Sequence, residues 1–172
     1  MMSWEELFTN MTYLVATKSH DPRTKIGAVI TTQDHMILSI GYNGLPRGVE
    51  YNSDVLNSTE KYKVMCHAEE NAILNASRAA TSLINSRLYV NLTPCNNCAR
   101  MIIQSGIQEV YIHANGQDMY EKSSDKVGHN WEESFKCTKE LFSAANISTT
   151  FFQYQGVTTP AYFNGKTIDF SE

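Results

Sequence analysis

No apolar run in this sequence approaches the roughly 20 residues that a membrane-spanning helix needs. The first residues, Met1-Met2-Ser3-Trp4-Glu5-Glu6, carry neither a basic n-region nor an apolar h-region, so no secretory leader or membrane partner is expected and the chain reads as cytoplasmic. Basic charge is also in deficit. Fourteen Lys and Arg against eighteen Asp and Glu give a net charge of −4, with a pI near 5.7. That balance argues against a sequence-independent hold on nucleic acid, which normally shows a basic surface, while leaving room for a local basic pocket around a small phosphate. Cysteine is scarce, with four in all. Without a secretory signal they suit metal binding or free thiols better than disulfides. The Asn-x-Ser/Thr triplets at Asn10, Asn57, Asn75, Asn91 and Asn146 are then chance matches. Repeats, low-complexity segments and internal boundaries are missing too. With 42% hydrophobic content over 172 residues, the expectation is one domain, 1–172, ending in a tail of about 156–172.

What is present is strong local patterning. Ser3 and Glu6 make a capping box, and Trp4, Leu7, Phe8, Met11, Leu14 and Val15 recur at helical spacing, predicting a helix from about Ser3 to Ser19 that Asp21-Pro22 breaks. Ile26–Thr31 and Met36–Tyr42 read as an antiparallel hairpin. A dense turn region follows at Gly41–Gly48, then a polar loop from about Tyr51 to Lys61 without apolar periodicity. Further helices are predicted over His67–Ala80, over Asn96–Ser105 with Gly106 as its stop, and over Trp131–Ala145. Strands are predicted over Arg87–Leu92, Glu109–His113 and Ser148–Tyr154, and a polar connection over Asn115–Asn130. Strands alternating with helices after an opening hairpin imply an α/β fold, a mixed central sheet of about five strands with helices on both faces.

The chemistry concentrates in two short motifs, His67-Ala68-Glu69 and Pro94-Cys95-Asn96-Asn97-Cys98. Cys95 and Cys98, three apart at the start of a helix, can turn both sulfurs to one point, and the helix dipole favours thiolates there. Pro94 suits a first-turn position, where a missing N–H costs nothing. His67 supplies a third ligand. Three protein ligands leave the fourth tetrahedral position of zinc open to water, as catalytic sites do and closed structural sites do not. Glu69, two residues beyond His67, falls beside such a water without displacing it and can carry its proton. Cys66 adjoins His67; neighbouring residues rarely ligate one metal from regular structure, so it reads as a small buried hydrophobe, and Cys137 as core. His20, His35, His113 and His129 lack ligand-like spacing and read as surface or ordinary hydrogen-bonding residues.

The H-x-E and P-C-x-x-C pair resembles the signature of zinc-dependent nucleobase deaminases. Together with Gly27-Ala28-Val29-Ile30, Gly41-Tyr42-Asn43-Gly44-Leu45-Pro46-Arg47-Gly48, His67–Ile73, Pro94–Ala99 and Ile102–Ile107, the chain resembles the deoxycytidylate (dCMP) deaminases of the cytidine deaminase superfamily. The resemblance runs from about Ile26 to His113, and the G-Y-N-G-x-P-x-G stretch is what points to the dCMP branch. It implies a three-layer sandwich and one catalytic Zn²⁺ per chain. It also implies that Glu69 activates the attacking water at C4 of cytosine, protonates N3 and then the departing amine, so that dCMP becomes dUMP and ammonia. Ala68 would hold the pyrimidine carbonyl through its backbone N–H, Asn43 would contact sugar or base, and Pro94 would stand beside them. It further implies a hexamer activated by dCTP and inhibited by dTTP with Mg²⁺, with Tyr42, Gly44, Arg47, Gly48 and Glu50 as effector candidates. Two departures stand out. Many relatives carry an aromatic near the nucleotide, shortly after the strand equivalent to Glu109–His113, where this chain reads Ala114-Asn115-Gly116-Gln117. The Tyr51–Lys63 segment lacks the Cys and His residues with which some relatives bind a second zinc.

A nucleotide also needs a cation at its phosphate, since charge-assisted contacts distinguish dCMP from deoxycytidine. Arg23 and Lys25 are the leading candidates, with Arg47 and Arg78 next. Competing readings are a free-nucleoside deaminase, a tRNA adenosine deaminase and a catalytically silent zinc or nucleotide-binding module.

Overall fold

The structure, a computed structural model, describes residues 1–50, 52–122 and 131–170. Helix α1 (Trp4–Ala16) opens on the expected box: Glu6 N–H donates to Ser3 Oγ at 3.2 Å, and Ser3 N–H to Glu6 Oε2 at 2.6 Å. Strands β1 (Gly27–Thr31) and β2 (Ile37–Tyr42) form the expected antiparallel hairpin. The polar segment is more ordered over residues 52–61 than its lack of periodicity suggested, for it holds the single-turn helix α2 (Ser53–Leu56), and a second, α3 (Lys61–Val64), begins at its last residue. Asn52 caps the first of them through its side chain.

Helix α4 (Ala68–Arg78), strand β3 (Ser86–Val90), helix α5 (Asn96–Ser105) and strand β4 (Ile107–His113) follow. Gly106 ends α5 in the left-handed conformation, φ 85°, as its position predicts. Beyond β4 the polar connection is partly a helix, α6 (Ala114–Lys122), whose Ala114, Gly116 and Gln117 are buried. Residues 123–130, which include His129, lie outside the described residues. Helix α7 (Trp131–Ala144) and strand β5 (Ser148–Phe152) close the main sheet.

The five strands run in the order β2-β1-β3-β4-β5. β1 is antiparallel to β2 and to β3, and β3, β4 and β5 are mutually parallel neighbours. Strand alternation divides the core. Val29 and Tyr89 meet Phe8 and Val15 of α1 on one face. On the other, Ala28, Ile30, Leu88, Val90, Val110 and Ile112 pack on α4, α5 and α7. The result is a three-layer sandwich.

The registers bring the start of β1 and the ends of β2, β3, β4 and β5 to one edge of the sheet: Gly27 pairs with Tyr42, Ala28 with Val90, Val90 with Ile112 and His113 with Phe152. Ligand crevices in open α/β sheets form at such an edge. The tail folds back onto it as a separate hairpin, β6 (Ala161–Phe163) and β7 (Lys166–Ile168). Phe163 and Phe170 anchor that hairpin among Tyr13, Leu92 and Val157.

Candidate active site

Each ligand-bearing segment is fixed by its neighbours. Gly41 lets β2 touch the first turns of α4: a Cβ there would stand 2.2 Å from Ala68 O and 2.3 Å from Ala72 N. Asn71 Nδ2 donates to Tyr42 O and Asn75 Nδ2 to Ile40 O, both at 2.8 Å, stitching α4 to the same strand. His67 is the N-cap of α4, its own N–H donating to Glu70 Oε2 at 3.2 Å. Cys95, rather than a residue preceding it, caps α5, and its Sγ accepts from Cys98 N–H at 3.5 Å. Pro94 therefore stands one position before the cap, not inside the first turn. Its carbonyl accepts from Thr138 Oγ1 at 2.9 Å, which ties the segment to α7.

These caps bring three donors together. His67 Nδ1 lies 3.3 Å from Cys95 Sγ and 3.4 Å from Cys98 Sγ. A tetrahedral zinc with Zn–N of about 2.0–2.1 Å and Zn–S of about 2.3 Å sets its ligand atoms roughly 3.5 Å apart, so the donor set fits the ion. Among the described residues it is the only group of three such side chains within metal-binding reach. The three donors perturb one another strongly. The hydrogen bond from Cys98 holds the Cys95 thiol down at about 4, and that from His67 adds to it. The Cys98 thiol is pushed up by the Cys95 sulfur beside it, and His67 is raised to about 9, first through its bond with Cys95.

Glu69 is 4% exposed and is not one of the three donors. Burial lifts its carboxyl to about 7, against the opposing pull of the His67 charge. Cys66 is half-buried and not the core residue expected, because it lies at the wall of the cavity; Gly44 N–H donates to its carbonyl at 3.0 Å, and burial raises its thiol. Cys137 is likewise only half-buried, on α7. His113 is a buried hydrogen-bonding residue, His35 is half-buried and His20 exposed.

A cavity of about 860 Å³ opens beside this cluster, lined by His67, Ala68, Glu69, Cys95, Asn43 and Arg23 among others. Asn43 is buried and its amide is used in both directions: Oδ1 accepts from Ile26 N–H and Nδ2 donates to Thr24 O, each at 2.8 Å. Lys25 does not line the cavity, because its Nζ donates to Ser19 O at 2.8 Å and lies over the Tyr162 ring, 5.8 Å from its centroid. Arg47 bonds Asn75 Oδ1, and Arg78 is exposed on α4; neither lines the cavity. Tyr42 is half-buried and Gly44 buried, while Arg47, Gly48 and Glu50 are exposed.

Several wall residues escaped the sequence reading. Lys61 of α3 is 3% exposed and bonds both carboxylate oxygens of Asp21, at 2.7 and 2.8 Å. Tyr120 on α6 brings an aromatic to the wall where the sequence directly after β4 lacks one, and its only signal was a place in an unrecognised helix. Tyr62, Trp131 and Asn164 also line the space.

One imidazole and two thiol donors gathered at two helix N-termini, with a buried carboxylate outside the ligand set, define a metal-dependent hydrolase of the zinc deaminase type. Residues 2–114 match the family described as the cytidine and deoxycytidylate deaminase zinc-binding region, and the chain belongs to that family. It is 42% identical over 117 residues to human deoxycytidylate deaminase, spanning 63% of this chain and 64% of the human one. To mouse deoxycytidylate deaminase it is 38% identical over 153 residues, 86% of this chain and 78% of the other. To an Aliivibrio fischeri protein described as an uncharacterized deaminase in the luxG 3′ region it is 38% identical over 147 residues, 86% and 92% of the two chains. The fold matches that of dCMP deaminase from cyanophage S-TIM5, solved in complex with dCMP and dUMP, at a TM-score of 0.65 and 22% identity, over 86% of this chain and 96% of that one. No helix among the described residues is long and apolar enough to cross a membrane.

Proposed function

We propose that this enzyme hydrolyses dCMP to dUMP and ammonia, supplying dUMP for thymidylate synthesis. The observation that carries the reading is that His67 and Cys95 of the three-donor cluster share one cavity wall with the buried Glu69, Asn43 and Arg23, with Cys98 completing the cluster behind it. Identity to the mammalian deoxycytidylate deaminases supports the choice of substrate. Zinc bound by the three side chains would supply Lewis-acid activation of the attacking water. Glu69, whose carboxyl burial lifts to about 7, takes a proton from that water and gives it to N3, then takes the proton of the new C4 hydroxyl and gives it to the leaving amine. The C4–N bond breaks, a C4 carbonyl forms, and one water is consumed for each ammonia released. Ala68 opens α4, so its N–H has no carbonyl partner within the helix and can donate to the pyrimidine carbonyl. Asn43 borders the base and sugar, whereas Pro94, expected beside it, is not among the cavity's lining residues. Arg23 meets the phosphate.

Activation by dCTP and inhibition by dTTP with Mg²⁺, a hexameric assembly and a cytoplasmic location complete the proposal. Arg47, Gly48 and Glu50, exposed on the turn after β2, are open to a triphosphate beside Tyr42 and Gly44. Ammonia release from dCMP, deoxycytidine, cytosine and an RNA hairpin, each with and without the two triphosphates, tests it. dCMP is expected to be the preferred substrate, with dCTP raising and dTTP lowering its rate. Preference for deoxycytidine or RNA would reassign the enzyme, and no release from any of them would leave the silent-module reading.

A further inference from the structure

The C-terminal hairpin is bonded into the cavity wall rather than draped over the surface. Its two-residue turn, Asn164-Gly165, has φ 50° and 77°, which suits the Asn-Gly pair of a tight hairpin. Three of its polar contacts go to one short segment, the turn that leads from α1 into β1. Lys25 N–H donates to Tyr162 O at 2.8 Å, Gly165 N–H to Arg23 O at 2.6 Å, and Asn164 N–H to Thr24 Oγ1 at 3.1 Å.

The other side of that turn is held by Asp21, whose Oδ1 accepts from Arg23 N–H at 2.7 Å and Thr24 N–H at 3.1 Å while Lys61 grips the carboxylate. Arg23 thus sits between two clamps. Behind the hairpin, the fully buried Phe163 presents its ring to the edge of Tyr120, at 6.0 Å and 88°, so the same hairpin backs an aromatic of the wall. Asn164 itself lines the cavity with Arg23 and Tyr120.

We propose that the hairpin is a working part of the substrate site: its backbone positions Arg23, and the Asn164 side chain is a specificity-determining contact to the anionic end of the bound ligand. The proposal rests on the reading of the substrate as a nucleoside monophosphate. A neutral amide can donate to a phosphate oxygen and a carboxylate cannot, so the position distinguishes a charged ligand from its uncharged counterpart.

The test is Asn164→Asp, which preserves size and the tolerance for positive φ, with Asn164→Gly as a second variant that keeps the turn and removes the side chain. Affinities of the zinc-loaded protein for dUMP and deoxyuridine are measured alongside KM and kcat for dCMP. Asn164→Asp is expected to weaken dUMP binding and raise the KM for dCMP by at least about tenfold, with kcat and deoxyuridine affinity within about threefold. Asn164→Gly should show a smaller loss in the same direction. Equal losses for dUMP and deoxyuridine, or no loss for either, would overturn the proposal. If the wild type releases no ammonia from dCMP, the deaminase reading alone fails, and the dUMP-to-deoxyuridine ratio still decides the role of Asn164. A wild type that binds neither ligand would overturn both.

Discussion

Lys61 and Asp21, forty residues apart in sequence, form a buried ion pair at the cavity wall, with Nζ at 2.7 and 2.8 Å from the two carboxylate oxygens. Asp21 Oδ1 also accepts two backbone N–H groups, additional hydrogen bonds of the kind that help a buried pair hold together. Lys61→Met is expected to leave that carboxylate uncompensated and to lower unfolding free energy by about 3–5 kcal/mol. Adding Asp21→Asn should cost less than the two single changes summed. Urea denaturation of the four proteins in the cycle checks this, and strictly additive losses would contradict coupling between the two side chains.

Glu69→Gln separates proton transfer from metal holding. Ammonia release from dCMP should fall by about 10²–10⁴-fold while zinc content stays at one per chain. Cys98→Ser should lose zinc and activity together, and Cys66→Ser should keep the metal because Cys66 is outside the donor cluster. Elemental analysis beside the activity assay reads both. A zinc deficit in Cys66→Ser would mean that the ligand set has been assigned wrongly.

Two glycines of the same turn region should behave differently. Gly41→Ala would drive a methyl group into Ala68 O and Ala72 N, so α4 must move. A loss of about 1–3 kcal/mol is expected from overpacking, and an activity loss on the order of 10²-fold from displacing His67 and Glu69. At Gly44 the added carbon would meet only ordinary contacts from 3.4 Å outward, and Gly44→Ala should cost roughly 0.5 kcal/mol. Thermal unfolding of the two variants side by side makes the comparison.

His113 sets an acid limit on stability. Its Nε2 lies 2.7 Å from Tyr154 O and must donate, so Nδ1 is the acceptor for Tyr13 Oη at 2.6 Å and Gly116 N–H at 3.2 Å. Burial pushes its pKa below 6.5, so the fold holds the neutral ring. Below about pH 6.5 the unfolded chain takes up a proton that the folded one refuses, and stability falls until the folded pKa is reached. Measured from pH 8 to pH 5, the unfolding free energy of the wild type should fall relative to that of His113→Gln, a difference in which the opposite titration of Glu69, common to both proteins, cancels. An unchanged slope in the variant would assign the step elsewhere.

Legibility in the sequence followed the range of the interactions. The box at Ser3, the stop at Gly106 and the pairing of His67 with the Cys95–Cys98 motif depend on neighbours within one turn or on strongly typed residues, and all were readable. Helix α6 was not, because Asn115, Gly116 and Asp118 are poor helix formers and only tertiary burial of Ala114, Gly116 and Gln117 overrides them. Lys61 entered only as the end of a polar loop, since its partner is forty residues away. Lys25 looked equivalent to Arg23, yet the backbone of the Ser19–Lys25 turn points its ammonium back at Ser19 O. The tail showed apolar residues without a destination, because Phe163 and Phe170 pack on Tyr13, which is distant in sequence.

The hydrogen bonds from residues 162–165 to the Arg23 turn also set an order of events during synthesis. The metal cluster is encoded by residue 98, and β5 ends at residue 152, so an emerging chain can carry ligands and sheet well before the Asn164-Gly165 turn leaves the ribosome. Until that turn appears the pocket has only one of its two clamps on Arg23. A partly translated chain would therefore take up zinc before it could select a nucleotide.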